Sequence, residues 1–317
     1  MFLLLSIIAF ADASNVRIFN LHRRHGYSRG LVIDSTTEND VTIPYYISIA
    51  PDENIPSIPG DHSAISLVTS NGELVPIPGA AGARRHPARG YVGIAPGSRF
   101  SQIFSSVLFL PPSQDQTTHR LVTGLNNPSD FCNQGVYVTV PMETRYSSLT
   151  RLEMTIQVAV SVINRGGENI NDVVRGVASD TNAFHIDFQQ ESDYIPDHIL
   201  EGILRQISAI ANVPPIDRGP RNFDRYIPAA FYSEYMQSLP SIRYTIFDGT
   251  SANGRPLLSI VMEPQDYLRF DVNGNLALKL EAVEDGDESY RFGLNFLDSV
   301  AVSIDYRNST LAFCDPL

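Results

Sequence analysis

Two aspartates occupy positions where chemistry could be done. Asp34 closes the apolar run of LVIDSTTENDVTIP, and Asp187 closes that of AFHIDFQQESDYIP; in both segments an apolar residue and a proline follow. A single aspartate after a strand is ordinarily a turn former. Two in matched settings raise a catalytic question, because carboxylates held close together can share a proton. Like charge then raises one pKa and leaves the other group ionised. One oxygen can activate a water while the neighbouring acid protonates a carbonyl.

Other chemistries find little support. No serine lies in a Gly-x-Ser-x-Gly elbow. Cys132 and Cys314 belong to no Cys-x-x-Cys pair, and His185, two residues before Asp187, lacks Cys/His companions at zinc spacing. His185 therefore reads as a strand histidine. The tract GAAGARRHPARG has glycines but not the ordered Gly-Lys-Ser/Thr of a phosphate cradle. The sequence points to no metal and no cofactor.

The elements that must hold the aspartates read mainly as strands. Twenty-one glycines and 21 prolines break up many short Val/Ile/Tyr/Phe runs, as in a turn-rich β protein. The segments 30–44 and 183–196 both read as strand, Asp loop, strand, and their likeness suggests two lobes on one plan. Each is followed much later by an apolar strand ending in glycine, Tyr91-Val92-Gly93 and Tyr290-Arg291-Phe292-Gly293. Glycine there allows close backbone approach. VYVTVP, LEMTIQVAVSVI, SIRYTIF, PLLSIVM and LALKLEAV read as further strands. SNGE is suited to closing a hairpin between ISLVT and LVPIP. After Pro196, Leu200, Ile203, Leu204, Ile207 and Ile210 recur at helical spacing, with Asp197 as cap and Pro214-Pro215 as stop. A second short helix is expected from Pro228 to Leu239.

At 317 residues the chain is long enough for two lobes of roughly 150 residues each. Hydrophobic content of 43% against 18% charged residues excludes a disordered chain. A net charge of -12 opposes binding to nucleic acid or an anionic membrane, whose phosphates would repel it. His22, Arg23, Arg24 and His25 read as a local, exposed basic loop. The opening MFLLLSIIAFADA carries an apolar run and Ala11-x-Ala13, the pattern of a cleaved signal peptide over residues 1–13. No later run approaches the roughly 20 apolar residues of a membrane span, so no transmembrane anchor is expected. In a secreted chain, Cys132 and Cys314 are suited to one long-range disulfide; two separate buried thiols are the other reading. Asn308-Ser309-Thr310 is an N-glycosylation acceptor, whereas Asn127-Pro128-Ser129 is blocked by its proline.

With these residues in place the chain resembles the pepsin-like aspartic peptidases (the A1 type). The matching features are the paired Asp segments, the apolar strands ending in Gly93 and Gly293, LPSIRYTIF followed by MEPQDYLRF, and FGLNFLDSVAVSIDYRNSTLAF. The resemblance implies a mostly β, bilobal pepsin-like acid protease fold with a few short helices. It divides the mature chain into a shortened N-terminal β lobe, residues 14–140, and a C-terminal β lobe, residues 141–317. It carries the two catalytic positions onto Asp34 and Asp187.

The flanking residues depart from the family's Asp-Thr-Gly. In the first loop, Ser35 and Thr37 keep hydroxyls but Thr36 replaces the glycine, adding a stiff β-branched side chain beside the carboxylate. In the second, Phe188, Gln189 and Gln190 remove both hydroxyl and glycine. The candidate flap hairpin near Asn71-Gly72 carries no tyrosine. The expectation is a secreted, monomeric pseudoenzyme that binds a peptide or protein ligand through the interlobe cleft or its surface. The rival readings are an aspartic endopeptidase with an atypical Asp34/Asp187 dyad, and a structural or host-interaction scaffold.

Overall fold

The computed structural model describes residues 16–24, 30–36, 42–48, 65–77, 91–112, 118–125, 127–133, 138–141, 152–154, 157–163, 169–175, 184–188, 190–197, 200–205, 226–227, 239–247, 255–270, 276–283 and 290–317. The leader expected over 1–13 and all but Leu239 of the helix expected over 228–239 fall outside these residues, as do Ile207, Ile210 and the Pro214-Pro215 stop.

Strands dominate. The first half contributes β1 (Arg17–Arg24), β2 (Gly30–Thr36), β3 (Thr42–Ser48), β4 (Ile65–Val68), β5 (Leu74–Ile77), β6 (Tyr91–Gly93), β7 (Ser106–Leu110), β8 (His119–Thr123) and β9 (Val138–Pro141). The second half begins with β10 (Leu152–Met154), β11 (Gln157–Ile163), β12 (Asn169–Arg175), β13 (Phe184–Ile186), β14 (Asp193–Ile195) and β15 (Tyr226–Ile227). It continues with β16 (Ser241–Phe247), β17 (Pro256–Met262), β18 (Leu268–Phe270), β19 (Leu276–Leu278), β20 (Leu280–Ala282), β21 (Tyr290–Phe292), β22 (Ala301–Asp305) and β23 (Thr310–Cys314). Helices are short: Arg99–Ile103, Pro264–Tyr267 and Leu294–Leu297, with a further helical stretch at 200–205 where the Leu200/Ile203/Leu204 stripe is buried.

The largest sheet has 11 strands, in the order β5-β4-β2-β1-β8-β7-β22-β23-β9, with β3 joined to β2 and β6 joined to β3. The last two strands of the chain thus return into the sheet of the first half, β22 on β7 and β23 on β9. Three smaller sheets hold the remaining strands: β10-β13-β21-β14-β20, β12-β11-β16-β17 and β15-β19-β18. Along β16 and β17 buried and less buried residues alternate, which is the period of a sheet with one face on the core. The hairpin between β4 and β5 forms as expected, with Gly72 at φ +84° and its amide bonded to the Thr69 carbonyl at 2.9 Å. A left-handed glycine is what such a short loop requires.

One hydrophobic core spans both halves. Phe109 of β7 meets Phe188 edge-on at 5.0 Å, and Phe296 meets Phe313 of β23 at 6.4 Å. Each fully buried ring contributes about 1.5–3 kcal/mol. Cys132 and Cys314 are bonded, with Cα atoms 5.6 Å apart and 182 residues of separation; the reading as two separate thiols is thereby corrected. In the chain-entropy picture, closing so long a loop stabilises the fold by about 5 kcal/mol.

Candidate functional site

The second half builds its site around a crossing. Strand β21 runs parallel to β13, with Phe184 opposite Tyr290, His185 opposite Arg291 and Ile186 opposite Phe292. On its other side β21 is antiparallel to β14, through Tyr194 and Arg291. The strand ending in glycine therefore passes between the two arms of the loop that carries Asp187. Asp187 is 2% exposed, and its amide donates to the Phe292 carbonyl at 2.9 Å. A Cβ on Gly293 would stand 2.4 Å from the Ser192 carbonyl oxygen and 2.7 Å from that of Gln190. Only glycine fits there, which gives the sequence reading of Gly293 its physical cause.

Among the described residues of the first half, the parallel pairing comparable to that of β13 with β21 does not contain Asp34. The glycine strand β6 pairs in parallel with β3, with Tyr46 opposite Tyr91, Ile47 opposite Val92 and Ser48 opposite Gly93. Val92 and Phe292 each precede the glycine, and their partners are Ile47 and Ile186. The residue that follows is Ser48 in the first half and Asp187 in the second. Counted from the glycine strand, Ser48 stands where Asp187 stands.

Asp34 lies one strand away, within β2, opposite Pro44 of β3. Its carboxylate is 3.5 Å from His22 Nε2, and both side chains are 42% exposed. The segments 30–44 and 183–196, which look alike as sequences, are thus built differently. β2 and β3 pair directly with one another, whereas β13 and β14 are separated by β21. The likeness is one of local pattern, since an apolar strand, a polar turn and a second strand can close as a plain hairpin or be opened by a third strand.

The supporting residues divide in the same way. Ser35 is fully buried opposite Ile43 and Leu67, and Thr36 is half-buried opposite Thr42 and Ser66. Phe188 is 1% exposed and packs on Phe109, while its carbonyl accepts the Leu31 amide at 3.3 Å. It is a core residue that ties β2 to the second loop. The Gln190 carbonyl accepts the Leu294 amide at 2.8 Å. Thr37 and Gln189 lie outside the described residues.

Two charged features escaped the sequence reading. Asp193 is completely buried, yet its Oδ1 accepts the amides of Gly293 (2.9 Å) and Phe296 (3.1 Å), and its Oδ2 accepts Asn295 Nδ2 at 2.8 Å and the Tyr244 hydroxyl at 3.5 Å. Burial pushes its pKa up to about 7, against the pull of these donors. The carboxylate clamps β14 to the start of the helix Leu294–Leu297. The only local signal was an aspartate in an otherwise apolar strand position, which sequence pattern alone reads as solvent-facing.

The second feature corrects the reading of Arg23 as part of an exposed loop. Arg23 is on β1 and its guanidinium pairs with the Asp298 carboxylate, which also meets His119 Nε2 at 2.8 Å. Burial works against the charge of Asp298, but the His119 hydrogen bond and the Arg23 charge outweigh it and hold its pKa below the usual carboxylate value. Burial lowers the pKa of His119 despite that partner. An ionised Asp298 can only accept, so His119 Nε2 carries the proton. Among the described residues no group of three or more His, Cys, Asp or Glu is arranged to hold a metal ion. No helix among them is long and apolar enough to cross a membrane.

No family model matches the sequence, and no curated protein does. Among solved structures the chain is similar to basic 7S globulin from soybean, with a TM-score of 0.61 over 95% of this chain and 96% of that one, at 11% sequence identity. The likeness at this identity is one of fold. The chain has the mostly β, pepsin-like fold with a few short helices.

Proposed function

We propose that this chain is a secreted, monomeric pepsin-fold protein that does not hydrolyse peptide bonds and instead binds a peptide or protein segment, through the cleft between its halves or its surface. The observation that carries this reading is the register of the two parallel pairings, β3 with β6 and β13 with β21, in which Ser48 rather than a carboxylate holds the position corresponding to Asp187. A hydroxyl cannot share an acid proton with a carboxylate in the way two like-charged groups do, so the electrostatic basis of an aspartic dyad is missing. Asp34 is beside His22 on β1 instead. Phe188 filling the core at the second loop supports the same reading.

The binding half of the proposal rests on the fold and on the ease with which an extended segment pairs with exposed strand backbone. Division into lobes at 14–140 and 141–317 belongs to the same proposal, with β22 and β23 returning to the first lobe's sheet. Secretion is supported by the Cys132–Cys314 bond, which is expected of an oxidising compartment.

The test is incubation of the secreted, folded chain with a diverse peptide mixture from pH 3 to 7, beside Asp34→Asn and Asp187→Asn proteins. The expected outcome is no cleavage at any pH, with a subset of peptides retained on the immobilised chain. Cleavage lost in both variants would establish an Asp34/Asp187 dyad and overturn the proposal.

A further inference from the structure

We propose that Asn308 carries an N-linked oligosaccharide. The inference rests on the compartment part of the preceding reading and is independent of ligand binding. Asn308-Ser309-Thr310 is the one Asn-x-Ser/Thr triplet in the chain not blocked by proline. The fold places it at the tip of the hairpin between β22 and β23, where Asn308 and Ser309 are exposed and Thr310 opens β23 opposite Asp305. Such a tip has room for a bulky, hydrated substituent, which a buried or sheet-central triplet would not.

The local bonds are compatible with the modification. Asp305 organises the turn: its Oδ1 accepts the amides of Arg307 (2.9 Å) and Asn308 (3.1 Å), and its Oδ2 accepts Asn308 Nδ2 at 2.7 Å. Ser309 takes the left-handed conformation, φ +51°, that turns the chain into β23. The donor is a lipid diphosphate-linked oligosaccharide. The bond between Nδ2 and the sugar's anomeric carbon forms, the anomeric carbon–oxygen bond to the diphosphate breaks, and the amide loses one proton as the lipid diphosphate leaves. One N–H remains on Nδ2, so the bond to Asp305 can persist in the glycosylated protein.

The full chain is expressed in a secreting eukaryotic cell and analysed by intact mass before and after peptide N-glycosidase, with heavy-oxygen labelling of the released site. The expected result is one glycan, with the label at residue 308, lost in both Asn308→Gln and Thr310→Ala. Thr310→Ala leaves the Asn308–Asp305 contacts in place, so loss of the glycan in that variant, with the Cys132–Cys314 bond intact, separates recognition of the triplet from misfolding. A secreted, disulfide-bonded chain of unmodified mass would overturn this inference and leave the binding proposal standing. A chain that never enters the secretory route would overturn this inference together with the proposed compartment.

Discussion

Replacing Gly293 with alanine tests the crossing that defines the second site. The added Cβ would meet the Ser192 and Gln190 carbonyl oxygens at 2.4 and 2.7 Å, where ordinary contact begins at 3.4 Å. Both neighbours are backbone, so a peptide plane must retreat by about 1 Å. That shift stretches two bonds at once, Leu294 amide to Gln190 carbonyl (2.8 Å) and Gly293 amide to Asp193 Oδ1 (2.9 Å). Overpacking costs about 1–3 kcal/mol, and weakening a bond to a buried carboxylate about 1.5–3 kcal/mol. The expected loss is about 3–5 kcal/mol, read as a shift in the urea unfolding midpoint at unchanged m-value. Gly72→Ala is the control. Its Cβ would meet nothing within 4 Å, but φ is +84°, so the cost is only the left-handed backbone penalty of about 1 kcal/mol. A Gly293→Ala protein no less stable than Gly72→Ala would refute the crossing as described.

Asp193 predicts a pH dependence. With its pKa raised by burial from 3.8 to about 7, the folded state keeps a proton that the unfolded state has released, so stability falls as pH rises between these values and levels above them. Asp193→Asn removes that slope, at the cost of facing its amide against Asn295 Nδ2; unfolding midpoints that fall equally steeply in both proteins would count against it. Arg23→Ala leaves Asp298 paired with His119 and costs about 2 kcal/mol near neutral pH. Because the Asp298 pKa is depressed, the stability it contributes is present above the unfolded carboxylate value and lost as pH falls through the folded one. The gap between Arg23→Ala and the parent should therefore close in acid, and a gap independent of pH would refute the assignment.

Local features were legible where their cause is local. Asn71-Gly72 marked the β4–β5 hairpin through glycine's access to positive φ, and the alternation in SIRYTIF and PLLSIVM marked β16 and β17. The Leu200/Ile203/Leu204 stripe marked a buried helical face. Arg23 misled because a dibasic pair reads as solvated, and its acid partner lies 275 positions along the chain. Asp34 misled because β2 and β13 share a local pattern while differing in which strand lies beside them.

Residue identity and spacing were enough for the class of fold, the glycine that ends each of the two parallel strands β6 and β21, the acceptor triplet at Asn308 and the two cysteines available for pairing. These follow from side-chain period, backbone freedom and residue identity, all of which are read within a few neighbouring positions. Tertiary structure alone decided that Cys132 meets Cys314, that Asp193 is buried under four donors, and that β3 rather than β2 runs beside β6. Parallel pairing joins strands far apart in the chain with no turn to set the register. Whether a serine or an aspartate stands level with the glycine is therefore settled by packing of the whole sheet.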